Sequence, residues 1–330
     1  MAKKLIITAD DYGVFPAINK AIIEAVKDGP VNSVAVFPNY DGASSSIAPV
    51  GAVQKTMAEN VKELLDETNG DVEIGCHLTI TSGKPLTGGM KFLTDKNGGN
   101  FPEYSNIPYF KKETELKALK DELIAQVEAI NKVEKNLVKH LTNHHNSLTV
   151  FPEHFDIYME VARNFSLPMR SADVRPEGKQ NLYLTILRTR LHDNISEADR
   201  EAAKKLGKTI TKYFTDHANG VKSTSYLESC HYGPPPPLPK FFRPDKQKKK
   251  KLVSLFEAFG RLNTSLTDDS MELMLHLGKD NIPGSETIDY TGVNHAYFPG
   301  RIAEFRSIME LDTANQLDPL GIAIVSWSSL

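Results

Sequence analysis

The chain has 330 residues, enough for two domains but within the range in which a barrel folds as one. With 40% hydrophobic and 25% charged residues it has ordinary globular composition, and a formal net charge of -3 gives no strong pull toward nucleic acid or an anionic membrane. The two cysteines, Cys76 and Cys230, form neither a disulfide framework nor a metal-ligand spacing; with no secretory-type apolar region at the start and no run as long as a membrane span, a reduced, cytoplasmic, single-domain protein over residues 1–330 is expected.

In chain order, Leu5-Ile6-Ile7-Thr8-Ala9 predicts a buried strand that runs directly into Asp10-Asp11-Tyr12-Gly13. Two carboxylates at the exit of a buried strand are costly unless compensated, and a divalent cation is the usual compensator. A helix is expected over Ile18–Lys27, closed by Asp28-Gly29, then a strand over Val31–Phe37 and a helix over Ala52–Glu67. Val72–Leu78 is the third strand and carries His77 near its end. The polar stretch Thr81–Ile107 is too long for a connector and reads as a lid or binding loop. In Glu113–Val133, Leu116, Leu119, Leu123, Ile124, Val127 and Ile130 recur at helical spacing. Val138–His145 gives a fourth strand ending in His144-His145, Pro152–Asn164 a helix with proline in its first turn, and Leu167–Arg170 a short fifth strand.

Further on, helices are expected over Ala198–Lys205, Leu252–Leu262 and Gly300–Met309. Strands are expected over Thr224–Glu228, over Met271–Leu275 with His276 at its end, and over Gly321–Trp327. The segment Pro234-Pro235-Pro236-Pro237-Leu238-Pro239 predicts a stiff polyproline stretch. The basic cluster Lys248–Lys251 behind it reads as solvated chain rather than a peptide or phosphate site.

About eight strand-then-helix units imply a parallel sheet closed into a distorted (β/α) barrel, whose chemistry belongs at the C-terminal ends of the strands. Asp10, Asp11, His77, His144, Arg170 and His276 all fall at such ends. Strand alternation sends His77 to the barrel interior and Cys76 to the helix side, where it is an inert buried thiol. It also favours His144 over His145 as a ligand, since His144 shares a face with His140 and Thr142. The Asp pair alone could cap the following helix, and each histidine alone could be structural. Together one residue of the Asp10-Asp11 pair, His77 and His144 make a hydrolytic metal site, with the other carboxylate of the pair free to hold or deprotonate water. His276 is either a general acid or a core histidine. Arg170 either binds substrate or pairs with an acid across the barrel, and Tyr12 and Arg301 are further candidate substrate contacts. His154, His192, His217, His231 and His295 are expected to be ordinary surface residues.

These motifs resemble the YdjC-like carbohydrate deacetylase family, best known for chitooligosaccharide deacetylases. The resemblance is carried by Ala9-Asp10-Asp11-Tyr12-Gly13, Gly75-Cys76-His77-Leu78-Thr79, His140–Asn146, Pro168-Met169-Arg170 and Glu272–Gly278, followed by Arg301–Phe305 and Gly321–Ser326. It implies one divalent cation held by Asp11, His77 and His144, with Asp10 as catalytic base and His276 contacting the reacting group or serving as acid. Zn, Mn, Co or Mg would suit the mixed N/O ligands. The implied reaction is removal of an N-acetyl group from an amino sugar or chitooligosaccharide by metal-activated water. The chain departs from the family pattern at Thr142 and Asn146, around the third ligand, and at Leu277 after His276. Two other readings stay open: a metal-dependent hydrolase of a phosphorylated disaccharide or phosphoester, with Arg170, Arg175 and Arg301 as a phosphate clamp, and a non-catalytic sugar binder. The expected partner is a small carbohydrate, with neither nucleic acid nor membrane involved, and the size suits a small homo-oligomer.

Overall fold

In the computed structural model, which describes residues 3–40, 55–94, 99–102, 109–173, 197–229, 259, 270–279 and 298–330, the first apolar run forms β1 (Lys3–Tyr12). It is followed by α1 (Pro16–Lys27), β2 (Ser33–Val36), α2 (Met57–Glu67), β3 (Glu73–Leu78), α3 (Glu113–Asn131), β4 (Val138–Asn143) and α4 (Pro152–Phe165). Then come α5 (Glu197–His217), β5 (Tyr226–Ser229), β6 (Ser270–Leu275), α6 (Phe298–Ile308), α7 (Thr313–Gln316) and β7 (Ile322–Ile324). The strands are parallel in the order β4-β3-β2-β1-β6-β5, with β7 against the first residues of β1.

The two edges of this curled sheet are joined through residues 168–173. Leu141 N donates to Pro168 O, Arg170 N to Leu141 O, Met169 N to Lys222 O and Leu227 N to Asp173 O. The result is the expected distorted (β/α) barrel. The expected fifth strand is reduced to one bridge, Leu141 to Met169, since Pro168 has no N–H to give a ladder. Helix α2 starts at Met57 rather than Ala52, where Thr56 and Glu59 exchange capping hydrogen bonds.

Strand alternation separates two interiors. Leu5, Ile7 and Ala9 of β1, Val34 and Val36 of β2, Ile74, Cys76 and Leu78 of β3, and Met271, Leu273 and Leu275 of β6 join the helices in the main hydrophobic core. Cys76 is buried there, and burial pushes its thiol pKa up, as an inert thiol requires. The alternate residues face the barrel axis and are polar yet buried: Thr8, Asp10, Ser33, His77, His140, Thr142 and Glu272. Buried polar groups need partners, and these find them across the axis.

Trp327 fills the lower barrel. The expected strand over Gly321–Trp327 shortens to β7, and Trp327 instead opens a 3-10 turn. Its ring stacks on His140 with centroids 4.9 Å apart, and Nε1 donates to Thr8 Oγ1 at 3.3 Å. His140 also meets Ser33 Oγ at 3.2 Å, and burial drives its pKa down to about 3, so the ring is neutral. Gly75 makes room for it: a Cβ there would lie 2.1 Å from His140 Nε2. Gly75→Ala is therefore expected to cost roughly 1–3 kcal/mol, the range for overpacking, and His140→Ala in that background should recover part of it. Urea denaturation measures both; an unchanged midpoint in the single variant would contradict this packing.

His154 is not a surface residue. It is fully buried beneath Phe110, whose carbonyl lies 3.0 Å from its Nε2. His217 is exposed, as expected, and stacks on Tyr213. The described start of the expected lid is anchored rather than free, because buried Glu122 of α3 accepts from Leu86 N, Thr87 N and Thr87 Oγ1. Among the described residues no helix is long and apolar enough to cross a membrane. The polyproline stretch, the Lys248–Lys251 cluster, the Leu252–Leu262 helix (Phe259 apart), Cys230, Arg175, His192, His231 and His295 lie outside the described residues.

Candidate metal centre

The Asp pair converges because β1 is bulged. Ala9 pairs with Val34 and Tyr12 with Val36, so β1 carries one residue more than β2 between these points. Asp11 takes up the extra length at φ 70°, a left-handed conformation that Asp tolerates better than most residues. The bulge reverses strand parity. Asp11 thus returns to the side faced by Asp10, and both carboxylates approach His77: Asp11 Oδ1 lies 3.3 Å and Asp10 Oδ2 3.9 Å from His77 Nε2.

The same reversal corrects the expectation for Tyr12. On a regular strand it would share the face of Asp10; here it is fully buried in the helix-side core and donates to Asn60 O at 3.0 Å.

His144 enters from just past the end of β4. The strand stops at Asn143, and His145 and Asn146 turn the chain with φ of 58° and 51°. His144 stays buried, with Nε2 3.9 Å from Asp11 Oδ1, while His145 is left exposed with its ring stacked on that of His144. One ligand atom from each of Asp11, His77 and His144 lies within 4.8 Å of the others.

This donor set fits a cation. Ligand bonds of about 2.0–2.2 Å place neighbouring donor atoms roughly 3–4 Å apart; Asp11 Oδ1 lies 3.3 Å from His77 Nε2 and 3.9 Å from His144 Nε2. Asp11 Oδ1 and His77 Nε2 are buried without a hydrogen-bond partner among the described residues, a costly state unless something else engages them. The other ring nitrogens are occupied: His77 Nδ1 meets Thr142 Oγ1 at 2.6 Å, and His144 Nδ1 meets Thr81 Oγ1 at 3.1 Å. Such outer contacts orient ligating histidines. Thr142 thus has a clear task here, and Phe37 packs edge-on against both rings. Burial holds the His144 imidazole well below its ordinary pKa, in the neutral form a ligand requires. For Asp11, burial pushes upward, but Arg301 and the histidines outweigh it and keep the carboxyl well below the usual range.

Asp10 stands beside the triad with its own support. Arg170 Nη1 and Nη2 donate to its two oxygens at 2.7 and 2.8 Å. Against the upward push of burial, Arg170 and His77 hold the Asp10 carboxyl below its ordinary pKa, so it is ionised. Of the two roles expected for Arg170, the structure selects the acid pairing. Its remaining contacts go to Glu272, through Nε and Nη2, and it is buried beneath the site rather than open to substrate. Arg301 of α6 pairs with Asp11 Oδ2 through Nη2, leaving a buried Nη1 with no hydrogen-bond partner among the described residues. His276 follows β6, with its backbone N held by Glu304, near enough to Asp10, Asp11 and His144 to lower the pKa of each.

Two contributors carried little sequence signal or were not assigned a role from it. Thr81 lies inside a polar loop like many other threonines. Glu272, by contrast, interrupts the apolar run Met271–Leu275, and a lone charge in a buried strand signals a partner across the barrel.

Known proteins resemble this chain in sequence and in fold. A family model described as YdjC-like protein matches residues 4–318. A carbohydrate deacetylase of Vibrio cholerae serotype O1 is 32% identical over 174 residues, covering 53% of this chain and 61% of that protein. One from Clostridium beijerinckii is 29% identical over 172 residues, covering 51% and 59%. The chain thus matches only about three-fifths of the length of these curated relatives. A crystal structure from Enterococcus faecalis V583, of a protein named as a candidate for cellobiose-phosphate cleavage, superposes with a TM-score of 0.68 at 19% identity, over 100% of this chain and 99% of that one; it supports the fold alone.

Proposed function

This chain belongs to the YdjC-like family, and we propose on that premise that it is a metal-dependent carbohydrate deacetylase acting on an N-acetylated amino sugar or its oligomer. The observation that carries the proposal is the pair of buried ligand atoms, Asp11 Oδ1 and His77 Nε2, 3.3 Å apart with no other hydrogen-bond partner among the described residues, facing His144 beside an ionised Asp10. A divalent cation bound there would supply a water of lowered pKa and polarise an acetamide carbonyl. Asp10 accepts the proton of the attacking water. His276 donates a proton to the nitrogen as the C–N bond breaks, giving acetate and a free amine. Arg301, through its available Nη1, contacts the substrate, while its Nη2 steadies Asp11.

The phosphate-clamp alternative is weakened, since Arg170 is committed to two protein carboxylates. To test the proposal, purified protein is incubated with N-acetylglucosamine oligomers and phosphorylated N-acetylated disaccharides. Acetate is expected, lost with chelator and restored by Zn, Co, Mn or Mg. Phosphate or cleaved sugar without acetate, or metal-independent release, would reject it.

A further inference from the structure

We propose that Glu272 is a positioning residue for the base: it acts through Arg170 to fix the orientation of the Asp10 carboxylate. The inference rests on the deacetylase reading and adds a residue to which that reading assigns no part. Glu272 lies at mid-strand in β6, fully buried on the axial face. Its two oxygens lie 3.0 Å from Arg170 Nε, and Oε1 lies 2.6 Å from Nη2. The guanidinium is planar, so a carboxylate on its Nε edge sets the plane in which Nη1 and Nη2 can point. That plane delivers both Nη atoms to Asp10, one to each oxygen.

The need for such a brace follows from the bulge. Asp10 precedes a residue in the left-handed region, where the regular ladder is broken. Its side chain is therefore less constrained by the sheet than that of Glu272, which sits within an unbroken register against β1. Thr8, opposite Met274 in that register, lies close enough to Glu272 for a side-chain hydrogen bond, and Thr8 receives the indole N–H of Trp327. A chain of contacts thus runs from the packed barrel floor through Glu272 and Arg170 to Asp10. Every link, Asp10 included, lies outside the cation-binding triad, which separates orientation of the base from metal binding.

The test compares wild type, Glu272→Gln, Glu272→Asp, Asp10→Asn and the Asp10→Asn/Glu272→Gln double variant. Kinetics of acetate release are measured alongside Zn2+ affinity by calorimetry. Glu272→Gln, which keeps size but loses charge, should lower kcat by roughly 10- to 100-fold, the scale of a misoriented group. KM and Zn2+ affinity should stay within about twofold, as befits an effect confined to orientation of the base. Glu272→Asp keeps charge but loses reach, and should lose as much; it also serves if the Gln variant does not fold. In the Asp10→Asn background the Glu272 change should cost nothing more. Unchanged kcat, or losses that multiply in the double variant, would overturn the proposal. Should wild type release no acetate at all, the deacetylase reading fails by itself. The brace is then decided by crystal structures of Glu272→Gln, where an Arg170 fork still seated on both Asp10 oxygens overturns it and a displaced fork supports it.

Discussion

His144→Ala is expected to abolish cation binding and acetate release together, whereas His145→Ala should leave cation affinity within about tenfold of wild type. The two residues are adjacent, their rings stack at 3.6 Å, and both Nδ1 atoms lie near the Thr81 hydroxyl. Only His144 directs Nε2 at Asp11 Oδ1 and closes the triad. Its removal leaves two protein ligands, too few for a stable site of the usual three-ligand catalytic kind. His145 bears on the ligands by stacking on His144 and sharing the Thr81 hydroxyl, a step further out than the direct outer supports whose loss costs about 10- to 100-fold. Calorimetric titration with Zn2+ and an acetate assay decide the matter. Equal losses in both variants, or retention of Zn2+ by His144→Ala, would remove His144 from the centre and with it the proposed chemistry.

Arg170→Leu should be the most destabilising single change, by roughly 3–5 kcal/mol at neutral pH. Arg170 is the cation between two buried carboxylates, Asp10 and Glu272. Burial pushes both carboxyl pKa values up; the arginine opposes this for each and prevails for Asp10. Without it, burial meets only the weaker opposition of His77 and His276 at Asp10 and of Thr8 at Glu272, and both carboxyls are expected to stand above their unfolded values. A group raised in this way resists folding at pH values above its unfolded pKa, where the folded chain must take up a proton or, above the folded pKa, hold the group charged. The deficit should therefore be largest near pH 7–8 and shrink as pH falls toward the unfolded carboxylate range. Guanidinium unfolding of wild type and variant at several pH values provides the measurement. A deficit that is small at neutral pH, or that grows on acidification, would mean that the ion cluster is not what holds this layer of the barrel.

Much of this architecture is local and was therefore readable in the chain. Apolar runs followed by helical periodicities predict parallel strands and a barrel, because strand and helix periods are properties of neighbouring residues. His77 and His144 lie near strand ends, where parity turns His77 to the barrel interior and favours His144 over His145 as a candidate ligand; Cys76 falls on the helix side in the same way. Gly75, opposite His140 in the register, illustrates the limit of such reading: nothing in its surroundings reveals that an imidazole occupies the space a methyl would need.

The sequence by itself determined the fold class and supplied the Asp10-Asp11 pair, His77 and His144 as candidates, since alternation and turn chemistry act over a few residues; the choice of Asp11 within the pair came from the family resemblance. Only the tertiary structure decided that Tyr12 turns into the core, that Arg170 pairs with both Asp10 and Glu272, and that residues 168–173 join the edges of the sheet. Each depends on a non-local event. A bulge is defined by the partner strand against which one residue is extra, and an ion pair between Arg170 and Glu272 spans 102 positions of chain. Parity counted along a single strand cannot register either, because the shift exists only between strands.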